Sequence, residues 1–410
     1  MIVRAFQHRL LHPDHLLVSA MVVVAAMIRF VGLDFATHDF TAYVRPWSEY
    51  IASHGFFLAM GDDFANYNAP YLYLLTGLTW LHTHTPLSVM TLVKTLSVVF
   101  DVVLAVYAAR IVGLRWPDRR VTALAGIVVL LLPTVVLNGA FWGQCDSIYS
   151  AFTMAGLYYV LRDRLWLAMA FFGLAVSFKL QAVFVFPVLI VLLLAGRVHV
   201  RHLLVIPAVY IGLAVPAWLC GRPFTDLMLV YAKQSGQYRL LGLNAPTIYA
   251  FLHPTAADLA VFRRAGVLFA VAAVLLLAYI ALIRGGTLDP ARIVLTAAAS
   301  SLLTPFLLPG MHERYFMQAD VLAVVAAFWV PRLRLVPILV QVASFLSYVP
   351  YLQGWRQPRP VDMRLLALAM FAALVLVIRE LLRGGPAVPE PGPEPADALA
   401  PKPVGNTIDG

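Results

Sequence analysis

Charge is what this 410-residue chain has least of. Only 12% of its residues are Asp, Glu, Lys or Arg, against about 25% in a soluble domain, so a water-soluble globule of this length is excluded. Cysteine is nearly absent. Cys145 and Cys220 are the two present, too few and too far apart for a disulfide framework or a cysteine-based metal site. Lysine is limited to Lys94, Lys179, Lys233 and Lys402, so arginine carries most of the positive charge. No Asn-x-Ser/Thr sequon occurs, which argues against the eukaryotic secretory pathway. No glycine-rich loop that could cradle a nucleotide phosphate is present, and no segment repeats another.

What is present instead is apolar sequence in long blocks. Hydrophobic residue types make up 61% of the chain, and mean hydropathy is +0.82. The blocks lack the two-residue alternation of barrel strands. Helices are then the elements that can satisfy their backbone groups in lipid. The expected fold is an all-α polytopic membrane protein. The formal net charge of +9 reads as the excess of Lys and Arg in cytoplasmic loops rather than as a nucleic-acid footprint.

A span needs about 20 apolar residues, with about 17 to 25 tolerated. Twelve spans are expected, several of them short: Leu16–Leu33, Ser88–Val112, Val121–Leu137, Ile148–Leu161, Leu165–Phe178, Ala182–Leu194, Leu203–Leu219, Gly266–Ile283, Ile293–Leu308, Val321–Val330, Leu335–Tyr351 and Leu365–Ile378. Tyr71–Leu81 is apolar but too short, and is expected to lie at the outer surface. With that assignment, Arg115/Arg119/Arg120, Arg162/Arg164, Arg197/Arg201, Arg284/Arg292, Arg332/Arg334 and Arg379/Arg383 all fall inside. Residues 1–384 then form one membrane domain. Its outer face carries a first loop over 34–87 and a second over 221–264. Residues 385–410, rich in Pro, Ala and Glu, read as a disordered cytoplasmic tail.

Three polar clusters fall where apolar segments end on that outer face. Asp39, in the first outer loop, is either a general base or a solvated carboxylate that caps a helix, and Asp34 competes with it. Asp146 follows Trp142-Gly-Gln144; capping explains the aspartate, whereas Trp142 and Gln144 beside it would make a sugar-binding platform. The two carboxylates could also hold a divalent cation. Lys179 and Gln181 end a short span. A lysine there either snorkels or binds a phosphate. His312, Glu313 and Arg314 follow a span closely, and Arg314 can grip a phosphate bidentately; the alternative is a local Glu313–Arg314 pair. Lys94 and Asp101, seven apart on one helical face, read as a structural pair or a proton site. A transporter would place its polar groups on broken helices at mid-bilayer and show repeated halves; neither pattern occurs, which disfavours a lipid-linked sugar flippase.

Trp142-Gly-Gln-Cys-Asp146, Phe178-Lys-Leu-Gln181 and Met311-His-Glu-Arg-Tyr315, with Asp39-Phe40, Pro46-Trp47 and Tyr67-Asn-Ala-Pro-Tyr-Leu-Tyr73, resemble bacterial relatives of the GPI second-mannosyltransferase family. The similarity runs in order from about Asp39 to Tyr351. It implies a membrane-embedded GT-C glycosyltransferase of the inverting kind, in a bacterial plasma membrane with its site facing outside. The donor would be a polyprenyl-phosphate sugar, expected to be mannose, with glucose or arabinose as the alternative. The acceptor would be a hydroxyl on a glycan, lipid or protein. Asp39 matches the family's catalytic acid residue; His312 and Arg314 match its donor-phosphate residues, with Tyr315 closing that motif and Lys179 or Arg239 adding positive charge. His38 stands where the family often has a small residue, at a place to affect the base or the acceptor. Asn68-Ala69-Pro70 departs from the family's usual proline pair.

Overall fold

The computed structural model describes residues 13–237, 240–283, 288–354 and 361–383. The 385–410 tail and Arg239 lie outside them. Fifteen helices of eight residues or more occur among the described residues. In chain order they are α1 (Pro13–Gly32), α2 (Arg45–His54), α3 (Ala69–His84), α4 (Val89–Arg115), α5 (Arg119–Leu130), α6 (Asp146–Leu161), α7 (Leu165–Phe178) and α8 (Pro187–Leu194). They continue with α9 (Val205–Leu219), α10 (Val230–Gln237), α11 (Leu259–Ile283), α12 (Pro290–Leu307), α13 (Met317–Trp329), α14 (Val336–Leu352) and α15 (Met363–Arg383). The only sheet among these residues pairs β1 (Gly242–Leu243) in parallel with β2 (Met311–His312).

Local signals set the helix starts. Ser88 accepts from Thr91 N–H at 3.1 Å, and Asp118 accepts from Arg120 N–H at 2.7 Å. Asn68 and Asp289 do the same for α3 and α12, at 3.0 and 2.8 Å. Each satisfies an otherwise orphaned N–H in the first turn.

All twelve expected spans have helical counterparts, so the all-α multi-span architecture expected from the sequence is the one observed. By length and composition, α4, α9, α11, α12, α14 and α15 can each cross a membrane, α9 and α14 together with the short turn before each. A bent pair of helices is a seventh candidate if the two form one span. Between Arg119–Leu130 and Pro133–Trp142 the axis turns by 52°, because Pro133 cannot donate to the helix and forces Leu132 out of helical geometry. Leu16–Gly32, Leu165–Phe178 and Leu180–Leu194 are shorter apolar helices.

Helix α12 sits at the centre, buried along almost its whole length, and packs against α11, α13 and α15. Helix α4 packs on α5, α6 and α13. Alanines, serines and threonines along α12 let neighbours approach closely, as interfaces within lipid require. Helix α3 has 16 residues, about 24 Å at helical rise, shorter than the ~30 Å hydrocarbon core. It packs on α2, α4, α7 and α9, and Ser48 bonds Thr79 at 2.9 Å. The second loop is more ordered than its composition implies: it contains α10, β1 and the start of α11.

Candidate functional site

The three polar clusters meet at one end of the bundle. The first arrives from the end of α1. Lys94 Nζ donates to the carbonyls of Gly32 and Phe35, both at 2.6 Å, ending the helix with a cation on its last carbonyls. Thr37 Oγ1 donates to the Trp142 carbonyl at 3.1 Å. The chain then enters a π-turn, Phe40–Val44, behind Asp39, and Asp39 N–H donates to the Tyr351 hydroxyl at 2.9 Å.

The second cluster comes from the far limb of the bent span, which ends in the π-turn Leu137–Trp142. Gly143 has φ +76°, a backbone region that a side chain disfavours, and it turns the chain so that Trp142 and Gln144 face the same carboxylate. Trp142 Nε1 donates to Asp39 Oδ2 at 2.9 Å, and Gln144 Nε2 donates to the same oxygen at 2.7 Å. Asp146, fully buried at the start of α6, accepts from Asn138 Nδ2 at 2.8 Å and forms an ion pair with Lys179. Lys179 sits in the break between α7 and the 3-10 turn Leu180–Val185.

The third cluster follows α12. Leu308 and Pro309 end that helix, Gly310 at φ +79° turns the chain, and β2 leads into the turn Glu313–Phe316. Arg314 lies among three carboxylates: Nη1 is 3.7 Å from Asp39 Oδ2 and 3.8 Å from Glu313 Oε1, and Nε is 3.8 Å from Asp146 Oδ2. None of these is a hydrogen-bond distance. The guanidinium carbon lies 5.3 Å from the centre of the Trp142 ring and 5.7 Å from that of Tyr315. Among the described residues, Arg314 Nε and Glu313 Oε2 are buried without a hydrogen-bond partner. The cation is therefore held by charge and ring faces while part of its donor capacity stays uncommitted.

Burial sets the protonation pattern. It raises the Glu313 carboxyl to about 7, against the pull of Arg314. It lowers His312 to about 2, with Arg314 and Lys179 adding to the effect, so His312 is a neutral imidazole. Burial also works against the Lys179 ammonium, but Asp146 beside it outweighs this and the net shift is upward.

Asp39, Trp142, Gln144, Asp146, Lys179, Glu313 and Arg314 are thus brought together, with His312 and Tyr315 in edge-to-face ring contact at 5.1 Å on the same segment. His38 is exposed, and its ring makes no hydrogen bond among the described residues. Asp34 is exposed as well. Gln181 keeps a buried, unpartnered Oε1. Lys94 and Asp101 do not pair with each other. Lys94 holds the end of α1, and Asp101 accepts from Arg29 Nε at 3.0 Å and from Ser147, so each is a structural tie between helices.

Sequence reasoning missed Asn138, Tyr348 and Tyr351. Tyr351 stacks on Trp142, Tyr348 meets the same indole edge-on at 5.4 Å, and Asn138 fixes Asp146. Two tyrosines three residues apart near the end of a span were the available signal, and they read as ordinary interfacial aromatics. Tyr67, noted only as part of a motif, donates to Gln144 Oε1 at 3.2 Å.

Arg314 occupies the space between Asp39 and Asp146, Lys179 already neutralises Asp146, and no group of three His, Cys, Asp or Glu side chains among the described residues could hold a metal ion.

No family model and no curated protein matches this chain. Solved structures of ArnT align with this chain. ArnT from Cupriavidus metallidurans bound to undecaprenyl phosphate aligns over 90% of this chain and 77% of its own, at 15% identity and a TM-score of 0.53. The apo state of the same protein aligns over the same shares at 16% identity and a TM-score of 0.43. At such identity the likeness establishes the fold, a multi-pass membrane bundle. It does not single out the mannosyltransferase relatives that the motifs resemble.

Proposed function

We propose that the protein is a membrane glycosyltransferase that moves a sugar from a polyprenyl-phosphate donor to an acceptor hydroxyl. The observation that carries this reading is Asp39, held by Trp142 and Gln144 within 3.7 Å of Arg314. A base and a loosely held cation stand side by side, as displacement of a phosphate from an anomeric carbon requires. The fold supports it, since the similar ArnT structure is one bound to undecaprenyl phosphate.

Asp39 takes the proton of the acceptor hydroxyl as that oxygen attacks the anomeric carbon. The hydrogen bonds from Trp142 and Gln144 and the guanidinium approach all fall on Oδ2. The bond to the polyprenyl phosphate breaks with its electron pair, and Arg314 supplies N–H donors to the charge that develops. One preorganised donor of this kind contributes about 10²- to 10³-fold, and a positioned base roughly 10²- to 10⁴-fold. Asp146, paired with Lys179 and bonded by Asn138, positions Arg314. His312, kept neutral, can donate one hydrogen bond to the phosphate. No step here uses a metal ion.

Mannose is the sugar assigned on the motif resemblance, and the outer face of a bacterial plasma membrane the assigned location. The test is transfer from radiolabelled polyprenyl-phosphate mannose, glucose and arabinose by protein in lipid, wild type beside Asp39→Asn. Transfer or donor hydrolysis present in wild type and lost in the variant supports the assignment. Activity with glucose or arabinose keeps the class and changes the sugar. Folded wild-type protein that neither binds nor consumes any of the donors overturns the reading.

A further inference from the structure

A cavity of about 310 Å³ lies between the two outer loops and is lined by Asp63, Asn66, Arg222, Lys233 and Gln234, with Phe64 and Val230. None of these residues belongs to the Asp39–Arg314 constellation. The walls are tied together from both sides. Arg222, 2% exposed, pairs with Asp63; Lys233 bonds Asp63 at 3.0 Å and Asp226 at 3.2 Å; Gln234 Nε2 donates to the Asn66 carbonyl. The loops approach closely because Gly61 has no side chain: a Cβ there would meet the Cys220 carbonyl oxygen at 2.3 Å. Tyr50 holds the near edge, donating to Asp62 at 2.9 Å and stacking on Phe64 at 4.8 Å.

The composition of the cavity selects its ligand. Two cations share Asp63, and Asp226 takes the rest of Lys233, so the charge is balanced and little remains to attract a phosphate. The carboxylate of Asp63 is nevertheless 45% exposed, and Arg222 Nε is buried without a partner among the described residues. A carboxylate, an ammonium and two amides around a small volume with an aromatic edge suit a ring bearing several neutral hydroxyls, each of which both donates and accepts. The volume lies at the small end of ligand sites, right for a single sugar ring and not for a lipid chain.

The position links it to the chemistry. Asn66, whose carbonyl Gln234 holds, adjoins Tyr67; Tyr67 donates to Gln144 Oε1, and Gln144 donates to Asp39. We propose that this cavity binds a neutral glycosyl unit of the acceptor, an assignment that rests on the transferase reading above. A sugar seated there sits one peptide link from Tyr67, which donates to the same Gln144 that donates to the base.

The test uses the full-length protein in lipid nanodiscs and saturation-transfer NMR with the methyl glycosides of mannose, glucose, galactose and arabinose, and separately with inorganic phosphate. Lys233→Met and Gln234→Ala are compared with wild type, both lying at the accessible rim so that folding survives. At least one glycoside is expected to bind, with affinity falling ~10-fold in each variant, the loss of a hydrogen bond to or near a charge. Donor hydrolysis in the absence of acceptor is expected to stay at the wild-type rate. No glycoside bound, or binding unaltered in both variants, overturns the proposal, as does a site that takes phosphate in preference to glycosides. Glycoside binding that persists in a protein with no donor binding or hydrolysis would instead sink the transferase reading while leaving the cavity a sugar site.

Discussion

Trp142 and Tyr351 stack face to face, with ring centres 4.0 Å apart and planes 12° apart. The stack fixes the indole whose N–H reaches Asp39 Oδ2, and the Tyr351 hydroxyl accepts from Asp39 N–H. One aromatic pair therefore orients both ends of the proposed base. Tyr351→Phe keeps the stack and loses one hydrogen bond, about 1 kcal/mol, so transfer should fall ~5-fold. Tyr351→Ala also loses the ring pair, about 0.5–1.5 kcal/mol more, and should fall about 2- to 13-fold further below the Phe variant if the stack orients Trp142. Equal rates for the two variants would show that it does not.

Asp39→Asn should lower kcat for transfer by roughly 10²- to 10⁴-fold, the range for loss of a general base, with donor affinity little changed. Asparagine is nearly isosteric and can still accept from Trp142 and Gln144, so the site keeps its shape. The measurement is single-turnover transfer together with donor binding. A large loss of donor binding would make Asp39 a binding residue instead.

Removing one partner of the buried Lys179–Asp146 pair leaves the other charge unmatched, at a cost of about 3–5 kcal/mol. Asp146→Asn and Lys179→Met should each lower the unfolding temperature in detergent. The double variant should be less destabilised than the sum of the singles, because it leaves no orphaned charge. Additive losses would show that the pair is not coupled.

Glu313 titrates near neutrality because burial raises it to about 7. Below that pH the carboxyl is neutral, and above it a negative charge appears 3.8 Å from Arg314 and competes with the donor phosphate for the guanidinium. The KM for donor should therefore rise as pH rises through about 7, and Glu313→Gln should flatten that rise. The same shift bears on folding. Between the unfolded value of 4.5 and about 7, the folded state binds the extra proton, so its stabilising contribution is present at low pH and declines as pH rises across that window. A KM that is flat in wild type across pH 6 to 8, roughly a unit either side of that value, would remove Glu313 from donor recognition.

The spans were legible because lipid demands long unbroken apolar helices, a local property that each segment carries for itself. The bend at Pro133, the caps at Ser88, Asp118 and Asp289, and the shortness of α3 are local in the same sense. The motifs around Asp39, Trp142, Lys179 and Arg314 were legible too, since polar residues at the ends of apolar helices stand out from their surroundings. Lys94 and Asp101 show where that reasoning stops: seven residues apart on one face, they suggested a pair, yet the carbonyls of Gly32 and Phe35 take one and Arg29 takes the other.

By itself, the sequence determined that the chain is an all-α membrane protein with polar residues gathered at the ends of its helices. Tertiary structure decided which groups meet there. Asp39 finds Trp142 and Gln144 at separations of 103 and 105 residues, and Tyr351 at 312. Such contacts depend on how the helices pack, on the turn at Gly143 and on the grip of Lys94 on α1. No local pattern encodes them, because the free energy that selects them is spread over the packing of the whole bundle.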